Sequence, residues 1–228
     1  MAQRLLLSFL LILATNFSFA QENKSDSTKV TVSDSIQLKK DHDIFIGIDF
    51  FNPIVAAFND KKGVNAYVSY QLNNKWHLVA EAGYEKNKFD EINWKVDVDG
   101  FTAKIGANWF VTQDVENQSN GIYIGGRLAY SQFSQTIKQY PIRDLQSNQI
   151  DGYGSRPKTD INAFWVEVVI GGRVQIYKNF YGELALHPAA YLGGKKDDKI
   201  DPLVIPGYGK YSGPFNMPVF WGIAYKIK

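Results

Sequence analysis

The sequence predicts an all-β protein: a closed, eight-stranded, antiparallel up-and-down β-barrel that crosses a membrane. Three observations predict it. Segments with strict apolar/polar alternation recur along the chain, and their number is even. On their apolar face, aromatic residues gather at both ends of a mainly aliphatic band.

The chain opens with MAQRLLLSFLLILATNFSFA, which has one positive charge at Arg4, an apolar run from Leu5 to Ala14 and small residues at Ser18 and Ala20. That is the pattern of a secretory signal peptide over residues 1–20, cleaved before Gln21. It is shorter than the roughly 20 apolar residues of a spanning helix. Residues 21–42, QENKSDSTKVTVSDSIQLKKDH, contain no aromatic residue and many Ser, Asp and Lys, so they cannot bury enough apolar surface to offset their ordering entropy. They read as a flexible periplasmic tail, and residues 43–228 as one barrel domain. There is no cysteine, which excludes disulfides, thiolate metal sites and a lipid anchor on cysteine. Charge is nearly balanced, with Lys plus Arg at 25 and Asp plus Glu at 23, which argues against nucleic acid as a partner.

Alternation is clearest in VNAYVSYQL, where Val64, Ala66, Val68, Tyr70 and Leu72 share one face and Asn65, Tyr67, Ser69 and Gln71 the other. It continues with Trp76, Leu78, Ala80, Ala82 and Tyr84 opposite His77, Val79, Glu81, Gly83 and Glu85. The same test places eight strands near residues 43–58, 63–72, 76–87, 96–111, 121–135, 161–177, 180–192 and 215–228. The connections NNK and YKN are tight, while those after the third, fifth and seventh strands are long, as in barrels with short turns on one side and long loops on the other. TQDVENQSN, after the fourth strand, is longer than this rule expects. So many closely spaced strands leave no long stretch of helical period.

A soluble barrel with an apolar lumen would show the same alternation, so the aromatic positions decide which face is inside. Tyr70, Trp76, Trp109, Phe180 and Tyr225 fall at one end of their strands, and Phe50, Tyr84, Phe101, Tyr130 and Phe164 at the other. Two such girdles belong at two membrane interfaces and have no purpose around a dry cavity. The opposite face is then the lumen. It carries a charge network of Asp49, Glu81, Glu85, Lys104, Arg127, Glu167, Arg173, Glu183 and His187, which must pair internally in a barrel just wide enough for its own side chains.

That network explains why IGGR occurs twice, at residues 124–127 and 170–173, inside strongly apolar runs. Both arginines point into the lumen, Gly125 and Gly171 make room beside them, and Gly126 and Gly172 lie on the outer face. After the second IGGR, a two-residue turn at Lys178-Asn179 would oppose lumenal Tyr177 to outward Phe180. The expectation is therefore a three-residue turn, Tyr177-Lys178-Asn179, with Asn179 in the left-handed conformation and Arg173 directly across from Glu183.

Other candidate chemistry is thin. The histidines are His42, His77 and His187, and only His187 stands near serines of similar height, Ser131 and Ser134. Its parity points it into the lumen beside Glu183, so a structural role outweighs a lipid-modifying base, and no catalytic residue is assigned. KVDVDGF lacks the first acid and the closing glutamate of a calcium loop, so Asp97 and Asp99 read as solvated strand-end residues beside a bulge at Gly100. GYGSRP is no nucleophile elbow, and GGKKDDKIDPLVIPGYGKYSG is no phosphate loop. No metal site and no cofactor are expected. The long loops 138–160 and 193–213 carry Tyr140, Tyr153, Tyr208 and Tyr211, which form either a binding surface or loops packed over the barrel mouth.

In architecture these features resemble the small eight-stranded outer-membrane barrels of the OmpA and OmpX type. DIFIGIDFFNPI, the double IGGR and the ending FWGIAYKIK also resemble a family of Bacteroidota outer-membrane β-barrel proteins with no assigned activity. The resemblance implies an outer-membrane location with both termini in the periplasm. It implies outer-membrane lipid and the membrane-insertion machinery as partners, and no activity. The last residue is Lys228, where many such barrels end in an aromatic read by that machinery. The functional expectation is a small non-pore barrel with a structural or surface-binding role; the alternative is an accessory subunit of a larger outer-membrane machine, with a protein partner in the membrane.

Overall fold

A computed structural model describes residues 42–49, 61–144, 146–194 and 201–227, all within the compact unit Lys39–Lys228. The expected signal peptide, the tail up to residue 41, and the end of the first expected strand from Phe50 on lie outside the described residues.

The described residues form twelve strands: β1 (Ile44–Asp49), β2 (Lys61–Gln71), β3 (Trp76–Glu91), β4 (Trp94–Gln113), β5 (Gly121–Arg143), β6 (Ile150–Tyr177), β7 (Phe180–Leu186), β8 (Ala189–Gly193), β9 (Val204–Ile205), β10 (Gly209–Lys210), β11 (Phe215–Asn216) and β12 (Val219–Ile227). Strands β1 to β6 each pair antiparallel with the next; β7 pairs with β12, and β12 with β1, which closes the ring. His187-Pro188 divides the seventh staves of the ring into β7 and β8, and Met217-Pro218 divides the eighth into β11 and β12. Pro has no N–H to give a ladder, so strand pairing breaks where it stands. The result is the closed eight-stave antiparallel barrel that the alternation predicts, with no helix among the described residues.

The two ends differ. At the base, where residues 42–43 and 226–227 lie, the β2–β3 turn is held by Asn73, whose Oδ1 accepts from the backbone N–H of Lys75 and Trp76, both at 3.0 Å. The β6–β7 turn has two residues, not three: Tyr177 faces Phe180, and Lys178 rather than Asn179 takes the left-handed conformation, at φ 47°. A register shift between Gln175 and Tyr177 absorbs the mismatch of faces for which such a turn was rejected, so Arg173 still stands across from Glu183.

At the opposite end, the mouth, two connections expected to be loops are strand. Strands β3 and β4 run on to a tight turn at Ile92-Asn93, with Asn93 at φ 71°. Strands β5 and β6 run on through most of the 138–160 span to a turn after Arg143. In that turn the N–H groups of Ser147 (2.9 Å) and Gln146 (2.6 Å) bond Asp144 Oδ1 and hold its carboxyl below the usual carboxylate range. No bulge occurs at Gly100; the shifts in β4 fall at Lys95/Val96 and Phe110/Thr112. What changes near Gly100 is the environment. Toward the base the outward residues are apolar, as at Phe101, Ile105 and Trp109. Toward the mouth the outward residues are polar: Lys138 pairs with Asp97 at 2.6 Å, and Ser134 donates to Asp160 at 2.9 Å. There Val96, Val98, Phe133, Ile137 and Ile161 turn inward to form a core.

That core is completed from above. Residues 201–213 fold down into the mouth around the β9–β10 hairpin, and Ile205 and Tyr208 are fully buried. Thr102 Oγ1 donates to Pro206 O at 2.8 Å, Leu203 N to Gln135 Oε1 at 3.1 Å, and Asn216 Nδ2 to Tyr208 O at 2.5 Å. Gly207 (φ 75°) is required here, because a Cβ would lie 2.6 Å from the Thr102 side chain. Burying a side chain the size of Ile205 stabilises the inserted hairpin by about 1.5–3 kcal/mol.

Candidate functional site

The described structure offers one concentration of chemistry, the lumen. Every member of the expected charge network is at most 9% exposed. The structure brings them together as three buried ion pairs. Arg127 Nε donates to Glu81 Oε1 at 2.8 Å, Lys104 Nζ to Glu167 Oε1 at 2.7 Å, and Arg173 Nε to Glu183 Oε1 at 2.5 Å. Asp49 and Glu85 lie in the same lumen nearer the mouth, and Glu85 accepts from Asn87 Nδ2 at 3.2 Å.

Glu167 is the hub of the upper lumen. Besides Lys104, its Oε1 accepts from Trp165 Nε1 at 2.7 Å, and its Oε2 is 2.9 Å from His187 Nδ1. His187 is thus beside Glu167 rather than Glu183: the register that pairs Leu186 with Ile170 and Ala189 with Glu167 makes it the diagonal neighbour of Glu167, whereas Glu183 is four residues away along its own strand. The serines of similar height are engaged elsewhere: Ser131 Oγ donates to Phe101 O at 3.1 Å and Ser134 Oγ to Asp160. The lower hub is Arg173, whose guanidinium lies 4.0 Å over the Phe45 ring and reaches Ser69 Oγ at 3.3 Å. Tyr123 OH donates to the other oxygen of Glu183 at 3.3 Å. His77 is fully buried at the lumen base against Phe110, with Ser69 Oγ 3.3 Å from its Nδ1.

The glycines beside the arginines are steric necessities. A Cβ on Gly125 would lie 2.3 Å from Asn108 Oδ1, and one on Gly171 would lie 2.7 Å from the Ala185 Cβ; at Gly126 and Gly172, on the outer face, it would meet only ordinary contact.

Sequence reasoning places Tyr67 on the inward face but misses how many rings join it. Phe45, Tyr67, Phe110, Tyr123, Tyr181 and Phe220 pack between the ion pairs. It also missed that the TQDVENQSN connection folds under the base. Asn117 Nδ2 donates to Gln175 Oε1 at 2.8 Å, Asn120 Oδ1 accepts from Gln175 N at 2.7 Å, and Ser119 meets Lys226 Nζ at 3.3 Å, while Lys226 pairs with Asp43 at 2.5 Å. That extra length is what lets the connection cross the opening.

The girdle residues face outward in matched pairs across neighbouring strands. Trp76 stands across from Trp109, Phe180 from Tyr225 and Tyr84 from Phe101; Tyr130 and Phe164 pack with ring centroids 4.8 Å apart. Tyr70 stacks on His42 at 5.8 Å. Of the loop tyrosines, Tyr208 and Tyr211 pack around Tyr191, burial pushing the Tyr208 phenol up, and Tyr140 packs on Trp94. Only Tyr153 among the four is largely exposed, at 54%. Among the described residues no group of His, Asp and Glu could hold a metal ion.

A family model described as Domain of unknown function (DUF6048) matches residues 2–228. The chain belongs to that family. Solved structures similar to this DUF6048 member include Ail, the attachment invasion locus protein of Yersinia pestis, at 11% identity over 82% of this chain and 99% of that one, with a TM-score of 0.41. Ail in complex with the heparin analogue sucrose octasulfate gives 12% identity, 82% and 99% coverage and a TM-score of 0.40. The N-terminal β-barrel domain of Pseudomonas aeruginosa OprF gives 14% identity, 83% and 100% coverage and a TM-score of 0.35. No curated relative matches the sequence.

Proposed function

We propose that this protein is a small outer-membrane barrel that does not conduct, and that its role is structural or surface-binding. The observation that carries this reading is the inversion between its two faces: charged pairs are buried inside, while Ile105, Leu128, Val168, Leu184 and Trp221 are each more than half exposed outside. In water such a surface would aggregate; in lipid it is the favoured one. From Phe101 to Trp109 the apolar band of β4 is about 27 Å along the strand, and on the order of 20 Å along the axis once tilt is included. That is close to the apolar height of outer-membrane barrels.

In this reading the base faces the periplasm and the mouth faces outward. The lumen is occupied by ion pairs and rings, residues 201–213 cover it above, and the 114–120 connection crosses it below, so no continuous water path remains. The surface-binding part rests on the tip of the β5–β6 hairpin, where Ile142, Ile150 and Tyr153 are 45%, 37% and 54% exposed.

The test has two arms. Cell fractionation should recover the chain in the outer membrane, with a folded band that shifts on boiling. Purified protein in planar bilayers should give no stable channels. Recovery as free periplasmic protein, or reproducible conductance, would overturn the proposal.

A further inference from the structure

On the outer face of β2 and β3, just mouthward of the upper girdle, three exposed lysines stand together. Lys62 is directly across from Lys86 in the strand register, and Lys88 follows two residues on with the same outward parity. Directly opposed residues of an antiparallel pair have Cβ atoms roughly 5 Å apart, and like charges placed there destabilise the sheet. Two residues along a strand span about 7 Å, so three ammonium groups on long stems can converge on one point.

The neighbouring carboxylates do not neutralise them. Asp99 faces Lys86 and Asp97 faces Lys88, yet each is drawn the other way, Asp97 to Lys138 at 2.6 Å and Asp99 to Lys158 at 3.9 Å. Asp90, next along β3, lies 4.0 Å from Lys95. The outward lysines above the girdle on β4, β5 and β6 are thus each matched by an acid. Among the described residues, Lys62, Lys86 and Lys88 have no ion pair.

Their height on the barrel decides what they meet. Val64 pairs with Tyr84, and Tyr84 with Phe101 of the upper girdle. Lys62 lies two residues beyond Val64 and Lys86 two residues beyond Tyr84, about 7 Å along the strand from the rings. In the outer-membrane reading, on which this inference rests, those rings sit at headgroup level, within reach of a lysine stem. The negative group that a lipid presents at that height is its phosphate. A phosphomonoester carries a charge of about −1.5 to −2 and three acceptor oxygens, enough for one charge-assisted bond from each ammonium; a diester has less of both.

We propose that Lys62, Lys86 and Lys88 form a binding site, on the outward rim of the barrel, for the phosphomonoester headgroup of an outer-leaflet lipid.

The experiment is native mass spectrometry of the purified barrel, released from uncharged micelles doped with equimolar phosphatidic acid, phosphatidylglycerol and phosphatidylcholine. Phosphatidic acid should be retained about tenfold or more over phosphatidylcholine, with phosphatidylglycerol between them. Each lysine near an anionic lipid surface contributes a factor of about five, so Lys86→Gln should lower the preference about fivefold. Replacing all three lysines by glutamine should abolish it, and their exposure keeps the fold out of the comparison. Lys75→Gln, at an exposed position in the β2–β3 turn at the base, should leave it unchanged. Equal retention of the three lipids, a preference that survives the triple variant, an equal loss in Lys75→Gln, or full competition by millimolar inorganic phosphate would overturn the site. Reconstitution into phosphatidylcholine vesicles separates the two readings. A barrel that fails to insert there overturns the membrane reading and the site with it, whereas insertion without a preference for phosphate overturns the site alone.

Discussion

Glu167→Gln is expected to lower the unfolding free energy of the barrel by about 3 to 5 kcal/mol, the range for removing one partner of a buried ion pair. Its side chain is fully buried and meets three donors: Lys104, the Trp165 indole and His187. The carboxylate compensates an ammonium that is itself only 8% exposed, and an amide in its place would turn an NH₂ toward a site furnished with donors. Equilibrium unfolding in denaturant, followed by tryptophan fluorescence in micelles, measures the effect. Lys104→Met should restore much of the loss in the Glu167→Gln background, since it removes the stranded cation. A loss below about 1 kcal/mol would mean that the pair is screened as surface pairs are, and that the lumen is wetter than its packing implies.

The second large effect is expected at the lower hub. Arg173→Met and Glu183→Gln should each cost about 3 to 5 kcal/mol, and the double variant distinctly less than their sum. Arg173 has no exposed side-chain surface, lies over Phe45 and donates to Glu183 at 2.5 Å, so losing Glu183 strands a guanidinium among rings. Losing Arg173 leaves the carboxylate with the Tyr123 hydroxyl. Coupling between contacting charges is commonly 0.5–3 kcal/mol. Strictly additive losses in the double-mutant cycle would show that the two groups do not act as a pair.

The partnership of Arg173 and Glu183 was legible because strand parity and one turn determine it. The turn itself was misjudged, since a bulge at Ile176 corrects the phase, and single-residue bulges leave no mark in alternation. The ring of strands was legible wherever one face meets a different medium from the other. Above Phe101 the pattern inverts: Val96 and Val98 point in and Asp97 and Asp99 point out, so a search for outward apolar residues ended the strands too early and suggested a bulge at Gly100. The strands continue there with polar residues outside and apolar ones inside, as an ordinary sheet over its own core. The inserted hairpin was illegible for another reason. Ile205 and Tyr208 stand among Pro, Gly and Lys with no period, and only the volume left above the ion pairs gives them a place. The Glu167 partnerships with Lys104, which reaches over β5, and with His187, its diagonal neighbour on the next strand, are contacts that parity alone does not order.

The central claim, a barrel whose outer face meets lipid and whose inner face meets its own charges, is tested most directly along β12. The chain has no cysteine, so single cysteines carrying nitroxide labels can be placed one at a time from Val219 to Ile227 in protein reconstituted into lipid. Val219, Trp221, Ile223 and Tyr225 point outward, and Phe220, Gly222 and Ala224 inward. The account predicts that relaxation by oxygen, which concentrates in lipid, rises and falls with a period of two residues and peaks at the outward positions. A water-soluble nickel chelate should reach none of those outward labels between the girdles. Outward labels relaxed by the chelate rather than by oxygen, or a profile without the two-residue period, would contradict it.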